Sequence, residues 1–330
     1  FLNKGTFFLS SQTWMKMKRC VVLLCLCLQI FTADGFSRGT VARGRQAFVS
    51  LAKMRPAEVS GARRLDRQCF LMMSENSGLP EKVEYFDPSI PLDPIEASKS
   101  TVREMPIFPL NMVAVPTGKC PLHIFEMRYR QMMNKIQETD ERFGIIMVDS
   151  RNNALASVGT TVQVYQRSLL DDGRQLIMNY GVGRFKILKI ISNEPYMVAL
   201  VDTDYEDIMK HSPELAKLEQ QVWETLNEVV RLTNKIQDKQ SVTVSGEATR
   251  YRPTDEPSSD QKQEDKRRSN FSFALANMLD LPPEQKQLMV QTLDVRQRLQ
   301  FQYDLLYETL KMLAAQSSLK DLNLGGEGGL

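Results

Sequence analysis

Residues 104–131 read EMPIFPLNMVAVPTGKCPLHIFEMRYRQ, and they set the architecture of the chain downstream. Apolar residues come first, broken by Pro106 and Pro109, and residues 110–115 read as a short buried strand. Pro116-Thr117-Gly118 is a turn, with proline pre-setting φ and Gly118 free to take positive φ. A helix is expected next. Phe125, Tyr129, Met132, Met133 and Ile136 recur at spacings of three and four, so both aromatics should anchor one apolar face. Glu126 and Arg130 stand four apart and are expected to pair on its surface, with Arg128 facing solvent.

Downstream, Phe143–Val148, Gly159–Leu169, Arg174–Gly181, Phe185–Ile191 and Tyr196–Asp202 read as strands, rich in branched and aromatic residues between turn signals. Asp171-Asp172-Gly173 closes a hairpin, and Gly181 and Gly183 mark a bulge or sharp bend. Short consecutive strands with one early helix predict a small, mostly antiparallel barrel. A helical part comes next. Ser212-Pro213-Glu214 starts a helix that buries Leu215, Leu218, Val222, Leu226 and Val229. Residues 239–268, with Pro253, Pro257 and a mixed-charge run, read as a solvated, disordered loop. Helices resume at about 270–280 and 283–292. A longer one is capped by Asp294 and turns Val295, Leu299, Leu306, Leu310 and Leu313 inward.

The opening stretch resembles the start of the Lon N-terminal domain, the substrate-engaging domain at the front of Lon proteases and of some stand-alone proteins. That family opens with a phrase like PLFPL, then a Pro-Gly turn, then PLxIFExRYRxM. The matching residues here are Phe108, Pro109 and Leu110, then Pro116 and Gly118, then Leu122, Phe125, Glu126, Arg128 and Tyr129. The likeness continues in order through Phe143-Gly144, Gly159, Gly181, Arg184-Phe185 and the run from Leu279 to Gln287, over residues 103–318. It implies an α+β fold: a PUA-like antiparallel pseudo-barrel with one inserted helix at 104–205, then a helical bundle at 206–318. Residues 74–103 read as an extended, proline-punctuated linker and 319–330 as a flexible tail.

The front of the chain reads as targeting. With Met15 or Met17 as the start, residues 1–35 contain a basic stretch, an apolar run from Val21 to Phe31 and small residues Ala33 and Gly35 before a cut. That is a secretory signal peptide, the rival being an amino-terminal anchor. Residues 36–73 carry eight basic residues between Arg38 and Arg67 against Glu58 and Asp66, which is transit-peptide character. The pair resembles the bipartite leader of algae with complex plastids. The expected destination is the plastid, with the secretory pathway as alternative. Cys69 and Cys120 are the cysteines beyond the apolar run, so no disulfide framework is expected.

Chemistry is hard to find in this sequence. A phosphate loop would need glycine at Val113 and Ser or Thr at Cys120. Cys120 and His123 are half of a zinc site with no second half, and read as a buried thiol and a loop imidazole. Met132 and Met133 read as core. Net charge is +2 and charged residues are 25%, which favours neither nucleic acid nor a membrane as partner. Together with the Lon resemblance, which implies a role in protein quality control, the reading is a non-catalytic module without cofactor or metal. It would bind unfolded or client proteins, or another protease or chaperone component, with Arg128 on the binding surface. The alternative is a fragment of an ATP-dependent Lon-type serine protease. A receptor for ubiquitin ligation would need a zinc-holding CxxC domain that the sequence lacks.

Overall fold

A computed structural model describes residues 78–209, 212–237, 242–254 and 260–325. The expected leader segments and the end of the tail lie outside the described residues. The chain divides into a larger unit, Ser77–Trp223 with Gly246–Tyr303, and a smaller one that includes Glu224–Ser245 and the chain from Asp304.

The larger unit is α+β. Its strands are β1 Val102–Leu110, β2 Lys119–Ile124, β3 Arg142–Asp149, β4 Ala154–Leu155, β5 Val158–Leu169, β6 Gln175–Ser192 and β7 Met197–Asp202. They run in the order β1-β7-β6-β5-β3-β4, with β2 added on β6. β1 also pairs with β3, in parallel, and this seam closes the barrel; the other pairings are antiparallel. Helix α1, Pro94–Ala97, precedes the barrel, and α2, Met127–Gln137, sits between β2 and β3.

β1 runs straight through Pro106 and Pro109, and the strand expected at 110–115 is a loop instead. The reason is the split pairing. β7 takes residues 102–107 and β3 takes 107–110, so each proline has a ladder partner on one side and its missing N–H costs no second bond. The end of the loop, Ala114 to Thr117, is buried but satisfied: Thr160 Oγ1 donates to the Ala114 carbonyl at 2.6 Å and Asn277 Nδ2 to the Pro116 carbonyl at 3.0 Å. Positive φ at the turn falls on Thr117 (64°), not on Gly118. Gly118 is needed for space, because a Cβ there would meet the Asn277 side chain.

β5 and β6 form the expected hairpin, with Gly173 at φ 77° and the Leu170–Arg174 and Gly173–Leu170 backbone bonds at 2.8 Å. Thr161 faces Gly183 and Val162 faces Gly181, so Val182 is an extra residue on β6; Tyr165 is one on β5. Gly144 and Gly159 make room for one ring. A Cβ on Gly144 would lie 2.6 Å from the Phe185 ring, and one on Gly159 would collide with it too. Phe108, Tyr129, Met132, Met133, Ile136 and Phe143 fill the core beneath α2, with the Phe108 and Tyr129 rings 4.1 Å apart.

Residues 78–103 are more structured than a linker. Tyr85 bridges to Ala156, Asp93 caps α1, and Asp202 receives Lys99 Nζ (3.1 Å) and Thr101 Oγ1 (2.8 Å).

The helices are α3 Pro213–Gln237, α4 Gly246–Arg250, α5 Gln261–Met278, α6 Pro283–Gln291 and α7 Val295–Gly325. Both α4 and the first turns of α5 occupy the stretch expected as a disordered loop. Asp260 caps α5 through the Lys262 amide, and the charges pair inward instead of solvating. Arg267 reaches Glu219 (2.8 Å) and Glu264 (2.6 Å), and Arg268 reaches Glu219 (2.9 Å). α7 likewise extends into residues expected as tail, and Leu310 is only partly buried. Within the smaller unit, Leu226, Val229, Leu232, Leu306 and Leu313 are buried, and Asn234 clamps both backbone groups of Val242.

Candidate functional site

The first half of β6 puts two polar residues on its inner face, beside buried Ile177, and two large apolar ones on its outer face. Gln175 and Asn179 point into the barrel and are buried, while Leu176 and Met178 point out, Leu176 being 45% exposed. A buried polar residue or an exposed large apolar one is the informative case; here one strand has both. β2 lies alongside, with His123 opposite Leu176 and Pro121 opposite Met178, both exposed. On the other side Ser168 and Gln166 face the same two residues of β6, and the bulge adds exposed Tyr165. The outer face of β2-β6-β5 therefore carries a strip in which Pro121, Leu176, Met178 and Tyr165 are interleaved with His123, Gln166 and Ser168. It ends at Tyr180, whose hydroxyl donates to Glu247 of α4 at 3.2 Å. Burial, with Tyr251 and Glu247 nearby, pushes the Tyr180 hydroxyl well above its usual range.

At the open end stand Phe125 and Met127, 61% and 60% exposed. Phe125 was expected on the apolar face of the helix, and this is corrected. The helix begins only at Met127, with Glu126 as its N-cap residue, and residues 119–124 are β2. A period of two carries Phe125 onto the outer side with Pro121 and His123, where its ring lies 5.9 Å from the imidazole. The predicted Glu126–Arg130 pair is also replaced: Glu126 holds Arg128, at 2.8 Å. Arg128 is 52% exposed, its guanidinium 4.6 Å from the centre of the Tyr129 ring. Of the singled-out residues, Phe125, Glu126 and Arg128 thus meet at the end of the strip.

The others are structural. Phe108, Pro116, Tyr129, Phe143 and Phe185 are buried; Pro109, Leu110 and Leu122 are half-buried. A Cβ at Gly181 would lie 2.6 Å from the Val115 carbonyl. Arg184 is buried behind the barrel. Its guanidinium donates to the Val290 and Thr292 carbonyls (2.9 and 3.0 Å) and to Asp207 (2.6 Å), which also holds Arg298 at 2.5 and 2.7 Å and Ser269. Burial lowers the Arg184 pKa to about 10, Asp207 working against it. Burial tends to raise the Asp207 carboxyl, but Arg298 and Arg184 outweigh it and bring it to about 2.

Other chemistry is sparse among the described residues. The Cys120 thiol is buried and pushed up to about 11 by that burial. His123 lies on β2, not in a loop. No group of three or more His, Cys, Asp or Glu residues is placed to hold a metal, and no helix is long and apolar enough to cross a membrane. An open cleft of about 290 Å³ lies between β1 and the end of α2, where Arg103 pairs with Asp140 at 3.3 Å. Sequence reasoning missed Met127, Leu176, Met178 and Tyr165; the QLIMN order of residues 175–179 carried the signal.

Comparison with known proteins gives the family of the chain. A Lon protease of Syntrophus aciditrophicus (strain SB) is 24% identical over 204 residues, 59% of this chain and 23% of that protein. A LON peptidase N-terminal domain and RING finger protein of Schizosaccharomyces pombe is 27% identical over 135 residues, 36% of this chain and 28% of its own length. A crystal structure of a Lon N-terminal domain protein from Xanthomonas campestris matches with TM-score 0.40 and 20% identity, over 60% of this chain and 95% of that one. The chain spans about a quarter of the length of the curated relatives it matches. Residues 104–308 match the model of the ATP-dependent protease La (LON) substrate-binding domain, and the chain belongs to that family.

Proposed function

We propose that this chain is a non-catalytic polypeptide-binding module of protein quality control, which holds exposed apolar segments of client proteins. The observation that carries the reading is the outer face of β6, where Leu176 is 45% exposed beside Met178, while the polar Gln175 and Asn179 are inside. Exposed apolar strips rimmed by polar groups mark interaction surfaces. Phe125 and Met127 extend the strip, and the Arg128–Glu126 pair gives it a charged rim. The family name speaks of substrate binding, which agrees with this use of the surface. The same strip would serve whether the domain works alone or at the head of an ATP-dependent protease. The partners proposed are proteins, not nucleic acid or lipid, and no ATP or peptide turnover is expected. The proposed compartment is the plastid, on the strength of residues 15–73; a fluorescent fusion of that stretch found only in cytosol or medium would rule it out.

The test is titration of the chain into a fluorescently labelled, reduced and alkylated protein that cannot refold. Saturable binding is expected. Joint Phe125→Ser and Leu176→Ser substitution should weaken it at least tenfold without lowering the melting temperature. Arg231→Ala, remote in sequence and paired on the surface with Glu228, should not weaken it. Equal binding by the double variant would refute the assignment of this face.

A further inference from the structure

Lys82 to Phe86 lie against β4 as an added strand. The Phe86 amide donates to the Leu155 carbonyl and the Ser157 amide to the Glu84 carbonyl, each at 2.8 Å, with Tyr85 opposite Ala156 in antiparallel register. From the other side the segment is held by Gln291, the last residue of α6. Its Nε2 donates to the Lys82 carbonyl at 2.9 Å, and its Oε1 accepts the Glu84 N–H at 3.1 Å. One side-chain amide thus satisfies the carbonyl of one residue and the N–H two residues on. Nearly every sequence offers those groups, so the contact reads extended backbone and not side-chain identity. This is the chemistry of strand addition.

Side chains add to the hold, the Tyr85 hydroxyl donating to Asp149 Oδ2 at 3.2 Å. Val83, Tyr85 and Phe86 are partly buried against the cluster of Ile146, Met147 and Phe185, while Lys82 and Glu84 are exposed. Beneath the segment Gln291 is buried, and the buried Ser157 hydroxyl has no hydrogen-bond partner. If the segment leaves, the Leu155 carbonyl, the Ser157 amide and the Gln291 side chain all lose partners, so the empty groove favours a replacement of the same shape. The segment also precedes residue 104, where the family match begins.

We propose that the groove between β4 and α6 is an extended-peptide site, filled in cis by Lys82–Phe86, and that it takes in trans a client segment of like form. That form is an extended stretch with an apolar residue followed, two positions on, by two adjacent aromatic or branched residues. The proposal rests on the client-binding reading above and adds a second, backbone-reading site to it. A tethered segment competes at an effective concentration of order millimolar, so the resting chain is largely closed to peptides.

The probe is a fluorescein-labelled peptide of residues 79–87, LPEKVEYFD, titrated into the full chain. Its affinity should rise at least tenfold in a Val83→Asp/Phe86→Asp variant, whose own segment docks poorly. Adding Gln291→Leu to that variant, or N-methylating the peptide at Phe86, should remove the gain. The unfolded, alkylated protein should displace the peptide. Equal affinity for parent and variant, indifference to Gln291→Leu, or failure of the unfolded protein to compete would each overturn the proposal. Should the variant misfold, hydrogen exchange on the unsubstituted chain decides. Phe86 and Ser157 amides should exchange faster than the β3 core; excess peptide, by displacing the segment, should speed Phe86 further and slow Ser157, which the guest re-pairs. Exchange as slow as the core at both amides, unaffected by peptide, defeats it. A concentration-dependent dimer dispersed by the peptide would make a second copy the tenant and overturn the client assignment. The Phe125→Ser/Leu176→Ser protein should bind the peptide as the parent does, so the two surfaces fail or stand separately.

Discussion

Asp207→Asn is the sharpest probe of how the helices are fastened to the barrel. The carboxylate side chain is 4% exposed and faces two guanidiniums, Arg184 and Arg298, that are 4% and 0% exposed. The substitution keeps the volume and leaves both cations without a counter-charge. Breaking a buried ion pair from one side costs about 3–5 kcal/mol, against about 5–15 kcal/mol of total stability. At about 2–4 °C per kcal/mol for a unit of this size, the melting temperature should fall by roughly 6–20 °C. Acid gives an independent estimate. The Asp207 pKa drops from 3.8 to about 2 on folding. At about 1.4 kcal/mol for each pH unit, that is roughly 2.5 kcal/mol. Because the folded pKa is the lower one, this stability is present in full above about pH 4 and is lost as pH falls through 2. The substitution should cost somewhat more than protonation, since a protonated carboxyl can still accept and the Asn amide brings N–H groups against cations. Urea unfolding followed by Trp223, which packs edge-on near Phe271 at 6.2 Å, measures both quantities. Parent and variant should converge between pH 4 and pH 2. A variant within about 0.5 kcal/mol of the parent at pH 7, or parallel acid losses in the two proteins, would refute the argument.

Three further outcomes are expected. Phe125→Ala should change stability by less than about 0.5 kcal/mol, whereas Tyr129→Ala, packed on Phe108, should cost about 3–5 kcal/mol in the same urea assay. Gly159→Ala should cost about 1–3 kcal/mol by overpacking Phe185 and the Ile145 carbonyl, and Phe185→Leu in the same chain should recover part of it. Cys120 should resist alkylation at pH 8 in the folded protein and react once urea is added, as read by mass spectrometry of its peptide; rapid labelling without urea would contradict its buried, raised thiol.

The strands were legible because they are branched and bounded by turn residues, although the two expected at Arg174–Gly181 and Phe185–Ile191 are one long β6 whose glycines mark a bulge and not an end, and the Asp171-Asp172-Gly173 hairpin was written in its own chemistry. Phe125 misled because Phe125, Tyr129 and Met132 fit a helix period while Pro121, His123 and Phe125 fit a strand period. Nothing local decides where one gives way to the other. The loop assignment at 239–268 failed for a different reason. Arg267 and Arg268 look solvated until Glu219, some fifty residues away in sequence, is brought beside them. The strip needed the register of three strands, which no single segment contains, although Gln175 and Asn179, four apart, share the face of that strand opposite to Leu176 and Met178. The residues between 78 and 103 were hidden by their prolines, which signal an extended path equally well for a free tether and for a docked one.

β6 runs for eighteen residues, with the bulge at Val182 between its two halves. Its first half carries Leu176 and Met178 on the outer strip, and its second half carries Arg184 to the carbonyls of Val290 and Thr292. If the strip holds clients as proposed, a ligand pulling on it pulls on a strand whose far end is bolted by charge-assisted bonds. Sliding β6 to fit a guest would break those bonds, so the guest, not the strip, has to adapt its shape. Selectivity on such a stiff anvil should follow the pliability of the client: disordered chains bind, and folded proteins with equally apolar but rigid surfaces do not.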